Sequence, residues 1–176
     1  MRLVADTIAG KRLTVVALQE VRKNEYQAIL NRLANHHGQT WGRTTQKAGP
    51  DDTMVIFRKD IWRLTKHIHY KIPLQSQLQS RYQVGARLRH RDSGRRVWFY
   101  SVHLAAHAEG ANARKVGARE TVKAIKKSAV ADDLPLVLGG DFNTTASSPP
   151  GKIFSDSGIM RYTRNFAKKK VKDGCK

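Results

Sequence analysis

Apolar positions along this chain follow two rhythms that alternate. Leu3, Val4 and Ile8 sit at helical spacing, which predicts a short helix over residues 2–9. Val15, Val16, Ala17 and Leu18 then run without interruption, which predicts a buried strand within residues 13–21. From Asn24 to Asn35 the spacing is helical again, with Tyr26, Ile29, Leu30 and Leu33 on one face. Residues 38–51 carry Gly38, Gly42, Gly49 and Pro50 and read as a loop. Strands are expected at Thr53–Arg58 and Trp62–Tyr70, and a polar loop at Pro73–Ser80. Tyr82–His90 and Arg95–Leu104 form a hairpin across Arg91-Asp92-Ser93-Gly94, whose glycine supplies a positive φ. Glu109–Val130 reads as a long helix that turns Ala118, Val122, Ile125 and Ala129 to a sheet and Arg114, Arg119, Lys123 and Lys126 elsewhere. Leu134–Gly139 is a last buried strand and Pro150–Ser157 a short helix. The class is mixed α and β, with more strands than helices.

Three of the strands end on chemistry. Leu136-Val137-Leu138 runs into Gly139-Gly140 and then Asp141-Phe142-Asn143. Alternation along an extended chain sends Asp141 and Asn143 to the same side, and the glycines let a ligand approach the backbone closely. Val15–Leu18 ends at Gln19-Glu20, and Val97–Val102 ends at His103. A carboxylate at a strand end is a hard oxygen ligand for Mg²⁺, and imidazole moves protons near neutral pH. Each residue has a plainer reading: Glu20 as a solvated acid, His103 as a half-buried structural histidine, Asp141 and Asn143 as an Asp-x-Asn turn. His103 and His107 mimic a helical metal-ligand spacing, but the strand before them and the single cysteine argue against zinc.

Charge narrows the partner. The chain of 176 residues carries 33 Lys and Arg against 14 Asp and Glu, a net charge of +19. Such a surplus favours a polyanion, nucleic acid above all or an anionic membrane surface. Arg81, Arg87, Arg89, Arg91, Arg95 and Arg96 crowd the hairpin against Asp92 alone, and a basic tail closes the chain. Cys175 has no partner for an intrachain disulfide. No run is apolar enough to span a bilayer, and Asp6 and Lys11 interrupt any signal-peptide pattern, so the chain reads as soluble and cytoplasmic by default.

Taken in order, Val16-Ala17-Leu18-Gln19-Glu20-Val21, Met54-Val55-Ile56-Phe57-Arg58-Lys59-Asp60, Ser101-Val102-His103-Leu104 and Gly140-Asp141-Phe142-Asn143 resemble the endonuclease/exonuclease/phosphatase superfamily, the fold of pancreatic deoxyribonuclease. The resemblance covers residues 1–165 and leaves 166–176 as a basic tail. It implies a two-sheet β-sandwich flanked by helices, deoxyribonuclease-I-like. It implies Glu20 as the metal-binding glutamate, with Mg²⁺ as cofactor and Mn²⁺ or Ca²⁺ as substitutes. It implies His103 in acid–base catalysis, Asp141 activating the attacking water and Asn143 on the scissile phosphate. Arg81 matches an arginine that touches the DNA backbone, and the helix carrying Arg114 is also similar to the family. Arg87 and Arg89 join them as nucleic-acid contacts on grounds of charge.

Family members begin with a strand that carries an asparagine near the metal, and end with a Ser-Asp-His element. This chain starts at the helix, and Ser155-Asp156-Ser157 lacks the histidine and follows Asn143 too soon. The expectation is a fold truncated at both ends, with an exposed sheet edge that invites self-association. The function implied is metal-dependent phosphodiester hydrolysis of nucleic acid, deoxyribonuclease-like. Two alternatives stay open: a non-catalytic nucleic-acid-binding remnant, and a phospholipid or inositol phosphate hydrolase of the same superfamily.

Overall fold

A computed structural model describes residues 1–44, 53–72, 81–106 and 110–163. Its elements, in chain order, are α1 (Arg2–Gly10), β1 (Val15–Leu18), α2 (Lys23–His37), β2 (Trp41–Arg43), β3 (Met54–Arg58), β4 (Trp62–Ile72), β5 (Arg81–His90), β6 (Arg96–His103), α3 (Ala111–Ile125), β7 (Leu136–Asp141) and α4 (Pro149–Ser155). The strands form two sheets, β1-β3-β2 and β4-β5-β6-β7. All pairings are antiparallel except β6 with β7, which run parallel because α3 carries the chain back between them.

Alternation of side chains along the strands builds the layers. Val55 and Phe57 of β3 face Ala86 and Leu88 of β5 between the sheets, sealed by Val15, Trp62, Leu64, Val97 and Phe99. Met54 and Ile56 of the same strand point the other way, against Ala5 and Ile8 of α1 and Tyr26, Ile29 and Leu33 of α2. On the far side, Trp98 and Tyr100 of β6 pack on Ile125 and Ala129, while Val102 and Ile72 pack on Ala118, Val122 and Phe154. The result is two sheets face to face with a helical layer outside each, the sandwich expected from the sequence.

Local chemistry fixes the helices. The Arg22 N–H donates to the Glu25 carboxylate (2.8 Å), capping the start of α2, and Gly38 ends it at φ 62°. Arg32 on α2 grips Asp6 on α1 with two bonds (2.7 and 2.9 Å), and His37 adds a third contact at 2.8 Å. Those partners, Arg32 foremost, hold the Asp6 carboxyl well below the usual carboxylate range. Past Ile125, α3 widens into a π turn over Lys126–Val130, where Ser128 Oγ donates to Ala124 O (2.7 Å).

One expected loop contains a strand. The glycines in residues 38–51 suggest irregular chain, yet Trp41–Arg43 pairs with β3. Gly42 lies opposite Phe57, and a Cβ there would meet the Phe57 ring at 2.6 Å. Its glycine marks a close approach rather than a turn. Residues 45–51 of that loop, the expected loop Pro73–Ser80, His107, Glu109 at the start of the expected long helix and the tail 166–176 lie outside the described residues.

Candidate active site

The strand-end residues converge although the strands belong to different sheets. β1 is an edge of the three-stranded sheet and β7 an edge of the four-stranded one, and Gly139 brings them together: a Cβ there would lie 3.4 Å from the Ala17 methyl. At the end of β1 the Gln19 amide donates to Ser101 Oγ (2.7 Å), and that hydroxyl donates on to Leu18 O (3.1 Å). This latch crosses from one sheet to the other. Immediately after it Glu20 takes φ 56°, a left-handed conformation that costs an L-residue energy and turns its carboxylate outward. Glu20 Oε1 stands 3.8 Å from His103 Nε2. Glu20 is three-quarters exposed, its side chain at 74%, while the His103 side chain is at 1%.

β6 and β7 deliver the other half. Parallel pairing sets His103 directly beside Asp141, and Leu104 N donates to Asp141 O (2.9 Å). Gly140 sits at φ 148°, where an added Cβ would come within 2.0 Å of Val102 O, so only glycine fits. The Asp141 carboxylate accepts from Asn143 N through Oδ1 (2.8 Å), and Asn143 Nδ2 donates to Leu104 O (3.0 Å). An Asp-x-Asn turn is therefore present, with Asn143 at φ 47°. The turn itself aims the carboxylate: Oδ1 is held, and Oδ2 makes no hydrogen bond among the described residues.

The arginines divide into two sets. Arg114, at the first turns of α3, donates to Ala105 O (3.0 Å), two residues past His103. Arg81 opens β5 at the same rim and is largely buried there, at 9%. Arg87 and Arg89 lie further along β5 than Gln83, the partner of Val102, by roughly 13 and 20 Å at ordinary strand rise. Arg87 is also engaged, donating to Asp132 Oδ2 (3.0 Å) and Thr65 Oγ1 (3.1 Å). The Trp98 indole N–H and Arg87 together hold the Asp132 carboxyl below the usual range. The rim therefore gathers Glu20, His103, Asp141, Asn143, Arg81 and Arg114, and leaves Arg87 and Arg89 at the opposite end of the sheet. Sequence reasoning did not single out Gln19, Ser101 or Asp132. The first two lie inside the segments that carry the resemblance, while Asp132 gave no signal.

As a donor set for Mg²⁺ the rim offers a hard carboxylate at Glu20. Among the described residues no group of three or more His, Cys, Asp or Glu side chains is placed to hold a metal ion. Mg²⁺ keeps most of its water and takes one or two carboxylates plus phosphate oxygens, so Glu20 fits that mode of binding. No helix among the described residues is long and apolar enough to cross a membrane.

Two sheets with helices outside thus bring Glu20, His103, Asp141 and Asn143 together at strand ends along one rim. The chain matches the endonuclease/exonuclease/phosphatase family over residues 1–171, and it belongs to that family. It is 26% identical over 178 residues to Nocturnin of Drosophila melanogaster, across 96% of this chain and 27% of that protein. The mannosyl-6-phosphatase Bt3783 of Bacteroides thetaiotaomicron shares the fold at a TM-score of 0.79 and 15% identity, over 90% of this chain and 61% of its own. TDP2 of D. rerio, solved with a single-strand DNA product, shares it at 0.66 and 18% identity, over 89% and 56%. The chain thus spans about a quarter of the length of Nocturnin and about three-fifths of the two solved chains.

Proposed function

We propose that this chain hydrolyses a phosphodiester of nucleic acid with the help of a divalent cation. The observation that carries the reading is the convergence of Glu20, His103, Asp141 and Asn143 on one rim of a molecule with a net charge of +19. Phosphate contacts dominate affinity for nucleic acid, and a family whose relatives include a DNA-bound protein and a sugar phosphatase leaves the substrate to charge.

Each residue has a defined part. Asp141, oriented by the Asn143 N–H, presents Oδ2 as the base that aligns and deprotonates an attacking water. Asn143, held to Leu104 O, has the part of steadying a phosphate oxygen through its amide. His103 is covered, so it works through its neighbour: its Nε2 lies 3.8 Å from Glu20 Oε1 and steadies that side chain at the rim. Glu20 would hold Mg²⁺, or Mn²⁺ or Ca²⁺ in its place; when bound, the ion offsets charge developing at phosphorus. Arg114 and Arg81 line the same rim and draw the backbone toward it.

A second reading, a non-catalytic nucleic-acid binder, is favoured by the burial of His103. One assay separates the two. Purified chain is incubated with supercoiled plasmid in Mg²⁺ or EDTA, with Asp141→Ala and Glu20→Ala beside wild type. Nicking that needs Mg²⁺ and falls at least about a hundredfold in each variant, with DNA retention unchanged, is expected. Salt-sensitive binding without any nicking would establish the binder instead. Release of phosphate from a phosphoinositide with intact plasmid would move the substrate to lipid.

A further inference from the structure

The outer face of α3 carries a basic groove with no part in the rim. Two concavities adjoin there. The larger, about 460 Å³, is lined by Arg119, Val122, Lys123, Lys126, Lys127 and Ile153. The smaller, about 260 Å³, shares Lys123 and Lys127 and adds Lys66, Ile68, His69 and Tyr70 from β4. Arg119, Lys126 and Lys127 form no ion pair among the described residues, and all three are exposed. Glu120, the nearby acid, is already taken by the Tyr70 hydroxyl (2.7 Å) and by Lys123 at 3.6 Å. The floor is aliphatic, from Val122 and Ile153.

The geometry suits a linear polymer. Arg119, Lys123 and Lys127 follow one another at four-residue intervals, a rise of about 6 Å each along the axis. A regular α-helix would swing Lys126 and Lys127 about 100° apart. The π turn over Lys126–Val130 relaxes the winding there, and both ammonium-bearing side chains line the same concavity. π turns are uncommon and recur at functional positions. Arg114, earlier on the same helix, reaches the rim at Ala105, and Lys126 lies about 18 Å further along the axis. Cations in a line along one helix, over an aliphatic floor, match the regular spacing of charge on a sugar-phosphate backbone.

From this we infer that the α3 groove is a second nucleic-acid-binding surface, which holds the backbone of a long single strand beyond the segment at the rim. The choice of polymer rests on the nucleic-acid reading above. The test neutralises Arg119→Gln, Lys126→Gln and Lys127→Gln together, in the whole chain. A control, Arg2→Gln, Lys11→Gln and Lys23→Gln, removes the same charge from the α1 and α2 layer. Binding of a fluorescent thirty-nucleotide single strand is measured in EDTA across a salt series, so that turnover plays no part.

The groove variant should lower the slope of log affinity against log salt by about 2, at about 0.7 for each phosphate no longer neutralised, while the control leaves it near wild type. Hydrolysis of a dinucleotide in Mg²⁺, where wild type shows it, should be equal in the two variants, because so short a substrate cannot span rim and groove. Equal slopes in groove variant and control would overturn the inference, since charge would then act diffusely. So would loss of binding to phosphatidylserine vesicles with strand binding intact, which would make the groove a membrane contact. Failure of every form to cleave would sink the hydrolase reading and leave the binding result to stand or fall alone.

Discussion

At the scale of single residues, the turn at Asp141 and Asn143 is compatible with the chemical role proposed for the same segment. The Asx turn that could have explained them away is the device that orients the carboxylate. Glu20 and His103 were legible because an apolar strand that stops at a polar residue points to a rim. That His103 would be covered while Glu20 stayed open was not legible, since both depend on how two sheets meet. The pairing of Arg87 was hidden for a similar reason: its charge was visible, but its partner Asp132 comes from the loop after the π turn, far along the chain. The same neighbourhood holds a titration that can be measured. Burial pushes the Tyr100 hydroxyl up to about 12, only partly offset by its contact with Ser128 (2.7 Å). An unfolded tyrosine ionises near pH 10, so above that value the unfolded chain releases a proton the folded one keeps. Stability from this group is whole below about pH 10 and is lost toward pH 12, by up to about 1.4 kcal/mol per pH unit. Tyr100→Phe should flatten that alkaline decline in urea titrations at successive pH values, and an unchanged slope would assign it elsewhere.

Elements were easier to foresee than their pairings. Helical and strand rhythms placed α1, α2, the β5–β6 hairpin and α3 close to where they lie, because each buries one face. β2 was missed because three residues are too few to show a rhythm, and its glycine answers to the Phe57 ring. Period alone also gave no sign that β1 and β7 would both be edges on the same side of the sandwich. Those edges bear on association. Val137 on β7 is 46% exposed and Leu13, just before β1, 39%. Unpaired backbone beside apolar side chains is a template for another strand. Self-association through this side is expected, and Val137→Lys should shift sedimentation of the chain toward monomer. An unchanged distribution would place any association on another surface.

For the molecule as a whole, charge is the dominant quantity. A net charge of +19 on 176 residues repels itself, and folding brings those charges closer together. Screening should therefore stabilise the fold: the thermal midpoint is expected to rise by several degrees between about 20 and 200 mM NaCl, a range that shortens the Debye length severalfold. A short polyphosphate should do the same at far lower concentration, by binding the folded state. A midpoint indifferent to both would mean that local ion pairs such as Arg32–Asp6 already balance the field. The latch from Gln19 to Ser101 has a further meaning at this scale. Glu20 follows a strand of one sheet and His103 with Asp141 belongs to the other, so neither sheet owns the candidate rim. A folding chain could complete every hairpin and both helical layers and still be inert until the two halves slide into register. Activity would then be a clock for the last act of assembly, and any agent that prised the halves apart would silence the chain before a single strand had melted.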